Sequence, residues 1–330
     1  MNTSAEWADS ILMARFVLNR AARAGLDPDA LARLAGVPNW REGGEDTRVA
    51  NRLCVRLWEL LEQRTGDAEI ALRSADESTP GELGLLEYLF LSADTLGEAL
   101  IACIRYCGCL TTSYSLLIGA HDAEQVSFEL LTVTEECRGR ELLVHSAFAL
   151  LISRSRWATR NHVDPVRITL RQSAPAELGA FRELFGTAAI EFGAASDAIT
   201  FHTRDLALPM KTADPDLTAV LTGYAAAMPA PLRFMVTWAE RLAAALDAAL
   251  DENTATLEVV ARRLHTSPRS LQRRLAEAGT TWRRELDQAR RRRLEEATHL
   301  PRARQAELLG YADPAALRRA AQRWKLSDST

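Results

Sequence analysis

Five arginines and a glutamine fall within RRLHTSPRSLQRR, residues 262–274. A guanidinium presents a planar fork of N–H donors that fits guanine O6 and N7, or a phosphate. A glutamine amide pairs in the same two-point way with adenine N6 and N7. The chemistry such a set supports is recognition of nucleic acid, not bond-making. The patterns that carry catalysis are missing, since the sequence has no GxSxG, P-loop, GxGxxG or HExxH. The six histidines are scattered without metal-ligand spacing, so no metal, no cofactor and no enzymatic activity is expected.

Two short helices must position these groups. Thr256 is placed to cap a helix whose apolar side is Leu257, Val260, Ala261 and Leu264. His265–Ser267 breaks it, Ser267 caps the next helix with Pro268 at its first position, and Gly279 stops that one. Two helices joined by so short a turn form a helix-turn-helix. Leu271 and Leu275, four apart, must face the first helix, which leaves Arg269, Gln272 and Arg273 together on the outer face. That is where a recognition helix presents side chains to base edges. Arg262, Arg263 and Arg274 flank the face and suit phosphates, which fix register without reading sequence. An arginine-rich helix face is by itself equally well explained as a solvated surface. The capped turn and the regional charge weigh against that. The 330-residue chain holds 40 basic and 44 acidic residues, net −4. Residues 253–330 carry 17 basic against nine acidic, net +8, so residues 1–252 carry 23 against 35, net −12. A basic end on an acidic chain points to a nucleic-acid-binding domain joined to a domain of another kind.

The segments that follow carry a resemblance. LEVVARRLHTSPRSLQRRLAEAGTTWRRELDQARR and LLGYADPAALRRAAQRW resemble, in order, the two helix-turn-helix units and the linker helix of the AraC/XylS family of transcription regulators. The resemblance implies an all-α DNA-binding domain. It puts the first unit's base-reading positions on Arg269, Gln272 and Arg273, the three that the helix geometry selects. In the second unit the matching positions are Pro314, Ala315, Arg318 and Arg319, of which the two arginines can reach DNA. The sequence departs from the family in this second unit. The stretch before Leu308 is short, polar and interrupted by Pro301, and Gln305 stands at a usual apolar anchor. Leu317 and Ala321 replace two aromatics, and KLSDST stops short of the usual closing segment. The departures predict a first unit that reads sequence and a looser, under-filled second unit contributing mainly phosphate contacts. They also keep open a different class, an interaction protein that pairs with an intact regulator and binds DNA weakly by itself.

The acidic part alternates between periods. Residues 5–37 read as helical, with Asp27, Pro28 and Gly36 as cap, first-turn proline and stop of a second segment. VANRLCVRLWELLEQRTG is a helix, TPGELG a break, and SADTLGEALIACIRYCGCL a third helix capped near Asp94. YSLLIGA and QVSFELLTV form a hairpin around HDAE, and RGRELLVHSAFALLISRSRWATR is a long helix. PVRITLRQ, AAIEFG and DAITFHT are strands, with a short helix in PAELGAFRELFG. The expected fold is an α+β domain with a mainly antiparallel sheet and helices, followed by the all-α C-terminal domain. The expected division is a sensing and dimerisation domain over 1–210, a Pro-marked linker region over 211–233, and a DNA-binding domain over 234–330. A helix over Leu232–Leu250, with Phe234, Val236, Trp238, Leu242, Ala245 and Leu246 available for packing, joins the domains or serves as a dimer surface.

RAARAGLDPDALARLAGVP, GELGLLEYLFLSADTLGEALIACIRYC and FRELFGTAAIEFGAASDAITFHTRDLALPMKTADPDL resemble the non-cupin, "arabinose-binding" sensor domain of a subgroup of the same regulators. These are packing motifs, so the resemblance implies the fold and an unknown small-molecule effector, without the sugar. The expected pocket lining is the helix bearing Tyr88, Phe90, Ile104 and Tyr106, the strands bearing Tyr114, Leu116, Phe128 and Leu130, and the helix bearing His145, Phe148 and Trp157. Arg105 and His145 are its polar candidates, weighed against the plainer reading of an ordinary core with a hydrogen-bonded histidine. Cys103 and Cys107, four apart and close to Cys109, are read first as small core thiols and only second as a redox or metal pair. With sparse cysteines, no basic-then-apolar leader and no apolar run near the ~18 residues a membrane span needs, a cytoplasmic protein with no membrane partner is expected, and the resemblance implies a homodimer acting on double-stranded DNA.

Overall fold

The computed structural model describes residues 7–37, 39–76, 78–187, 189–228, 238–252, 254–264, 268–297, 300–311 and 313–327. The chain divides into two units, Met1–Val236 and Thr237–Thr330.

In the first unit a short strand β1 (Ala8–Ser10) precedes α1 (Ile11–Arg23), where continuous helix was expected. It pairs antiparallel with β2 (Arg48–Ala50). Three residues are too few to reveal a two-residue period in the sequence. The pairing is fastened by Asp9, a buried carboxylate that accepts hydrogen bonds from Asn51 Nδ2 (2.9 Å), Thr111 Oγ1 (2.6 Å) and Ser113 Oγ. α2 (Pro28–Ala35) starts and stops as the sequence indicates. The Asp27 side chain caps it, and Gly36 closes it in the left-handed region at φ 88°, which a residue with a Cβ adopts only at a cost. α3 (Asn51–Thr65) and the single turn α4 (Ile70–Arg73) follow.

The helical stretch after the TPGELG break is two helices, α5 (Leu85–Ser92) and α6 (Leu96–Tyr106). The cap between them is Thr95, one residue past the expected site. Its hydroxyl accepts from Glu98 N at 3.2 Å. A 3-10 turn, Cys107–Cys109, leads into the hairpin of β3 (Tyr114–His121) and β4 (Gln125–Thr132). Asp122 holds the hairpin loop by accepting from the backbone N–H groups of Glu124 and Gln125, both at 2.8 Å. β5 (Arg167–Leu170), β6 (Ile190–Phe192) and β7 (Asp197–His202) complete a five-stranded sheet in the order β3-β4-β7-β5-β6. Every pairing is antiparallel except β5 with β6.

α7 (Arg138–Thr159) is the central rod of this unit. Its 22 residues are buried around most of the circumference, including Leu142, Val144, Phe148 and Ile152. A helix buried around most of its circumference belongs inside a domain. It also carries buried arginines, each tied to an acid: Arg140 to Asp197 on β7, and Arg154 to Glu87 on α5. α8 (Gly179–Phe185) is shorter than the sequence indicates, and α9 (Thr203–Leu206) is one turn. α10 (Pro215–Ala227), capped by Asp214, lies in the expected linker region and packs Leu221 and Ala225 against Leu85 and Leu89 of α5.

The second unit is helical: α11 (Trp238–Asp251), α12 (Leu257–Arg263), α13 (Pro268–Glu277), α14 (Trp282–Glu296), α15 (Arg302–Leu308) and α16 (Pro314–Ser327). Residues 232–237 of the expected long helix, the break at 265–266 and the cap at Ser267 lie outside the described residues.

Candidate nucleic-acid interface and apolar pocket

α13 is held by its apolar side. Leu271 and Leu275 are fully buried with Val260 and Ala261 of α12, Leu246 and Leu250 of α11, and Ala289 of α14. Burying one leucine in this way stabilises by about 1.5–3 kcal/mol. Two such anchors fix which way the helix faces. Thr256 accepts from Val259 N at 3.3 Å and caps α12, and Gly279, in the left-handed region at φ 68°, ends α13. With the leucines turned inward, Arg269, Gln272 and Arg273 are exposed and share one face, three and four residues apart.

The flanking arginines differ from one another. Arg262 is exposed and Arg274 half-buried. Arg263 is half-buried and ion-paired with Glu252, eleven residues earlier, so its charge is already compensated within the fold. A contact to a residue eleven positions earlier, beyond the end of α11, leaves no local signature, so Arg262 and Arg263 look alike in the sequence.

The second pair of helices has its own small core of Ala306, Leu309, Leu317, Ala320 and Trp324. Gln305 is a hydrogen-bonding cap here, not a defective anchor. It is 3 % exposed, and its Nε2 donates to Ala297 O (2.9 Å) and Leu300 O (3.0 Å) while Oε1 accepts from Arg302 Nη1 (3.0 Å). Arg290 of α14 donates to Leu309 O at 3.0 Å and lies over the Tyr311 ring. Arg318 and Arg319 are exposed on α16, as are Pro314 and Ala315.

In the first unit a pocket of about 130 Å³ lies between α5, α6, β3, β4 and α7. Its wall is Leu83, Leu86, Phe90, Leu110, Leu116, Leu130, Ala147, Phe148, Leu150 and Leu151, with Tyr114, Cys103, Cys107, Glu87 and Arg154. Of the pocket residues expected from sequence, Phe90, Tyr114, Leu116, Leu130 and Phe148 are on this wall. The others are elsewhere. Arg105 is exposed on α6. Tyr88 and Trp157 face outward, 46 % and 47 % exposed. Ile104 and Tyr106 are half-buried off the wall. Phe128 is buried edge-on against Phe201 of β7.

His145 is buried on a different side of α7. Its Nε2 donates to Gln172 Oε1 at 2.6 Å, and its ring stands edge-on to Phe181. Burial drives its pKa down to about 3, so the ring is neutral. The charged groups that do reach the pocket, Glu87 and Arg154, were not anticipated. The available signal was a lone carboxylate inside LLEYLFLS and two arginines, Arg154 and Arg156, inside LLISRSRW.

The Cys103 and Cys107 thiols both sit on the pocket wall. Burial pushes the pKa of Cys103 up to about 12 and raises that of Cys107 as well, so both stay protonated. Among the described residues no group of three His, Cys, Asp or Glu side chains is gathered for a metal. Nor is any described helix long and apolar enough to cross a membrane.

Comparison with known proteins adds an independent line. Residues 25–210 match the family described as the arabinose-binding domain of AraC transcription regulators, N-terminal. An ornithine utilization regulator of Pseudomonas aeruginosa is 30 % identical over 249 residues, which cover 73 % of this chain and 71 % of that protein. The HTH-type transcriptional regulator VirS of Mycobacterium tuberculosis is 26 % identical over 310 residues, 91 % of this chain and 88 % of its own. Among solved structures, the transcriptional regulator CdpR of Pseudomonas aeruginosa matches over 94 % of each chain at 20 % identity, with a TM-score of 0.47.

Proposed function

The chain belongs to the AraC family of transcription regulators, in the branch whose N-terminal domain is described as arabinose-binding, and on that premise we propose that it is a ligand-responsive regulator that binds double-stranded DNA. The observation that carries the reading is the two-sided construction of α13. Leu271 and Leu275 lock one side, and Arg269, Gln272 and Arg273 are exposed on the other. In this reading α13 lies in the major groove with those three side chains on base edges. Arg262 and Arg274 contact phosphates, and Arg263 contributes less because Glu252 already holds it. Arg318 and Arg319 give the second helix pair a further contact.

The 1–210 region senses an effector in the pocket between α5 and α7 and supports a homodimer, 234–330 is the DNA-binding part, and the protein acts in the cytoplasm, where its DNA is. The effector regulates by binding two global states unequally and so shifting the population able to hold DNA. The test is binding of the purified chain to DNA from upstream of its own and neighbouring genes, across a salt series and with unrelated competitor DNA. A complex that survives competitor supports the reading. Binding that competitor removes completely refutes a sequence-reading role and favours a protein that acts by pairing with another regulator.

A further inference from the structure

The pocket has a chemical character that its family description does not convey. Ten of its fifteen lining residues are Leu, Phe or Ala, among them Leu86, Phe90, Leu116, Leu130, Phe148 and Leu151. The two charged side chains on its wall are spent on the protein itself. Glu87 Oε1 accepts from Arg154 Nε, and Glu87 Oε2 accepts from Leu83 N at 3.0 Å. Arg154 Nη2 donates to Ser78 Oγ at 2.7 Å. Both side chains are at least nine-tenths buried, and they neutralise each other. An arriving carboxylate would have to take Arg154 from Glu87, and an arriving ammonium would have to take Glu87 from Arg154. Either leaves a buried charge without its partner, which a buried site resists strongly. A sugar would bring several hydroxyls to a wall that offers them almost nothing, since buried polar groups need partners. The weakly engaged polar side chains among the lining residues are the Cys103 and Cys107 thiols, the latter donating to Tyr114 O at 3.4 Å, and Tyr114, whose hydroxyl donates to the weak acceptor Met13 Sδ at 3.5 Å.

We propose that the effector of this pocket is an uncharged, largely hydrocarbon molecule with at most one hydroxyl or carbonyl, placed against Tyr114. The volume of about 130 Å³ suits a body the size of a six-membered ring or a short chain. A dry, leucine- and phenylalanine-lined cavity of about 150 Å³ accepts benzene. The proposal rests on the reading of this unit as the ligand-sensing part. It departs from what the description of the family would suggest, because neither a pentose nor an amino acid finds its polar complement here.

The test compares ligands with one tail and three charges. 1-Hexanol, hexanoate and hexylammonium are titrated into the full chain by calorimetry and ligand-observed NMR, beside L-arabinose and L-ornithine. The expected result is saturable binding of 1-hexanol at least about tenfold tighter than either charged analogue, with no binding of arabinose or ornithine. Ala147→Leu and Cys103→Leu, which narrow the pocket from α7 and from α6, each weaken 1-hexanol at least about tenfold, with circular dichroism checking that both variants are folded. Tighter binding of hexanoate, hexylammonium, arabinose or ornithine overturns the proposal, as does the absence of any saturable ligand or an unchanged affinity in both folded variants. Duplex DNA is titrated in parallel. If 1-hexanol binds and DNA does not, the regulator reading fails and the pocket proposal stands. If DNA binds and the charged or polar ligands win, the reverse holds.

Discussion

Arg262 and Arg263 are neighbours of the same type, yet the structure predicts different electrolyte behaviour for them. Each phosphate neutralised by a free cationic side chain releases counterions from the duplex and adds about 0.9 to the slope of log Kobs against log salt. Arg262 is exposed, whereas Arg263 is paired with Glu252 and arrives at DNA with its charge compensated. Arg262→Ala therefore lowers the magnitude of the slope by about 0.9. Between 50 and 200 mM salt, a fourfold change, that amounts to about 3.5-fold in relative affinity, or about 0.7 kcal/mol. Arg263→Ala changes the slope by well under half of that. Its pair with Glu252 is partly exposed, so its loss costs stability of at most about 1 kcal/mol. Fluorescence anisotropy on a non-specific duplex suffices, because the phosphate contribution does not depend on sequence and no operator need be known. An unchanged slope for Arg262→Ala removes that residue from the interface. Equal slope changes for the two variants refute the argument that an internal carboxylate silences Arg263.

Three further outcomes are expected. Arg273→Ala lowers specific binding by about 1–3 kcal/mol and relaxes preference at one base pair, which selection from a randomised duplex pool reads directly; an unchanged preferred sequence would exclude base contact. Breaking the buried Glu87–Arg154 pair with Glu87→Leu or Arg154→Leu costs about 3–5 kcal/mol of unfolding free energy, whereas the double substitution is close to neutral. Denaturant titration of all four proteins measures the coupling, and simple additivity would show that the two side chains do not act together. His145 is buried neutral with its pKa lowered to about 3, so its contribution is fully present above the ordinary histidine value of 6.5. It is lost as pH falls from there towards 3, by up to about 1.4 kcal/mol per unit. His145→Asn should flatten that part of the stability profile, and an identical slope in the variant would place the proton uptake on another group.

What could be read without coordinates was whatever is decided within a few residues. The Asp27–Pro28 start and Gly36 stop of α2, the hairpin loop around Asp122, and the inward leucines of α13 follow from local propensity and period. Periodicity says which side of a helix is buried but not what buries it. His145 and Phe148 both lie on the inner helix α7, yet one faces Phe181 and Gln172 while the other faces the pocket. The division of α5 from α6 turned Tyr88 outward and freed Glu87 to meet Arg154, 67 residues away. Gln305 likewise looked like a flaw in a core because its partners, the carbonyls of Ala297 and Leu300, become visible only when the end of α14 is seen beside it.

The buried carboxylate of Asp9 also sets a clock. It leaves the ribosome 104 residues ahead of Ser113, one of the three side chains that will surround it. At about 5–20 residues per second, roughly 5–20 s pass before that partner exists. Once Asn51 has emerged, 42 residues after Asp9, the strand Ala8–Ser10 can pair with Arg48–Ala50, but its carboxylate has only Asn51 to replace water until Thr111 and Ser113 follow. The N-terminal corner of the first unit thus waits for residues near the middle of that unit before it can close. A chaperone holding nascent chain would find Asp9 and its neighbours open until the turn before β3 has emerged.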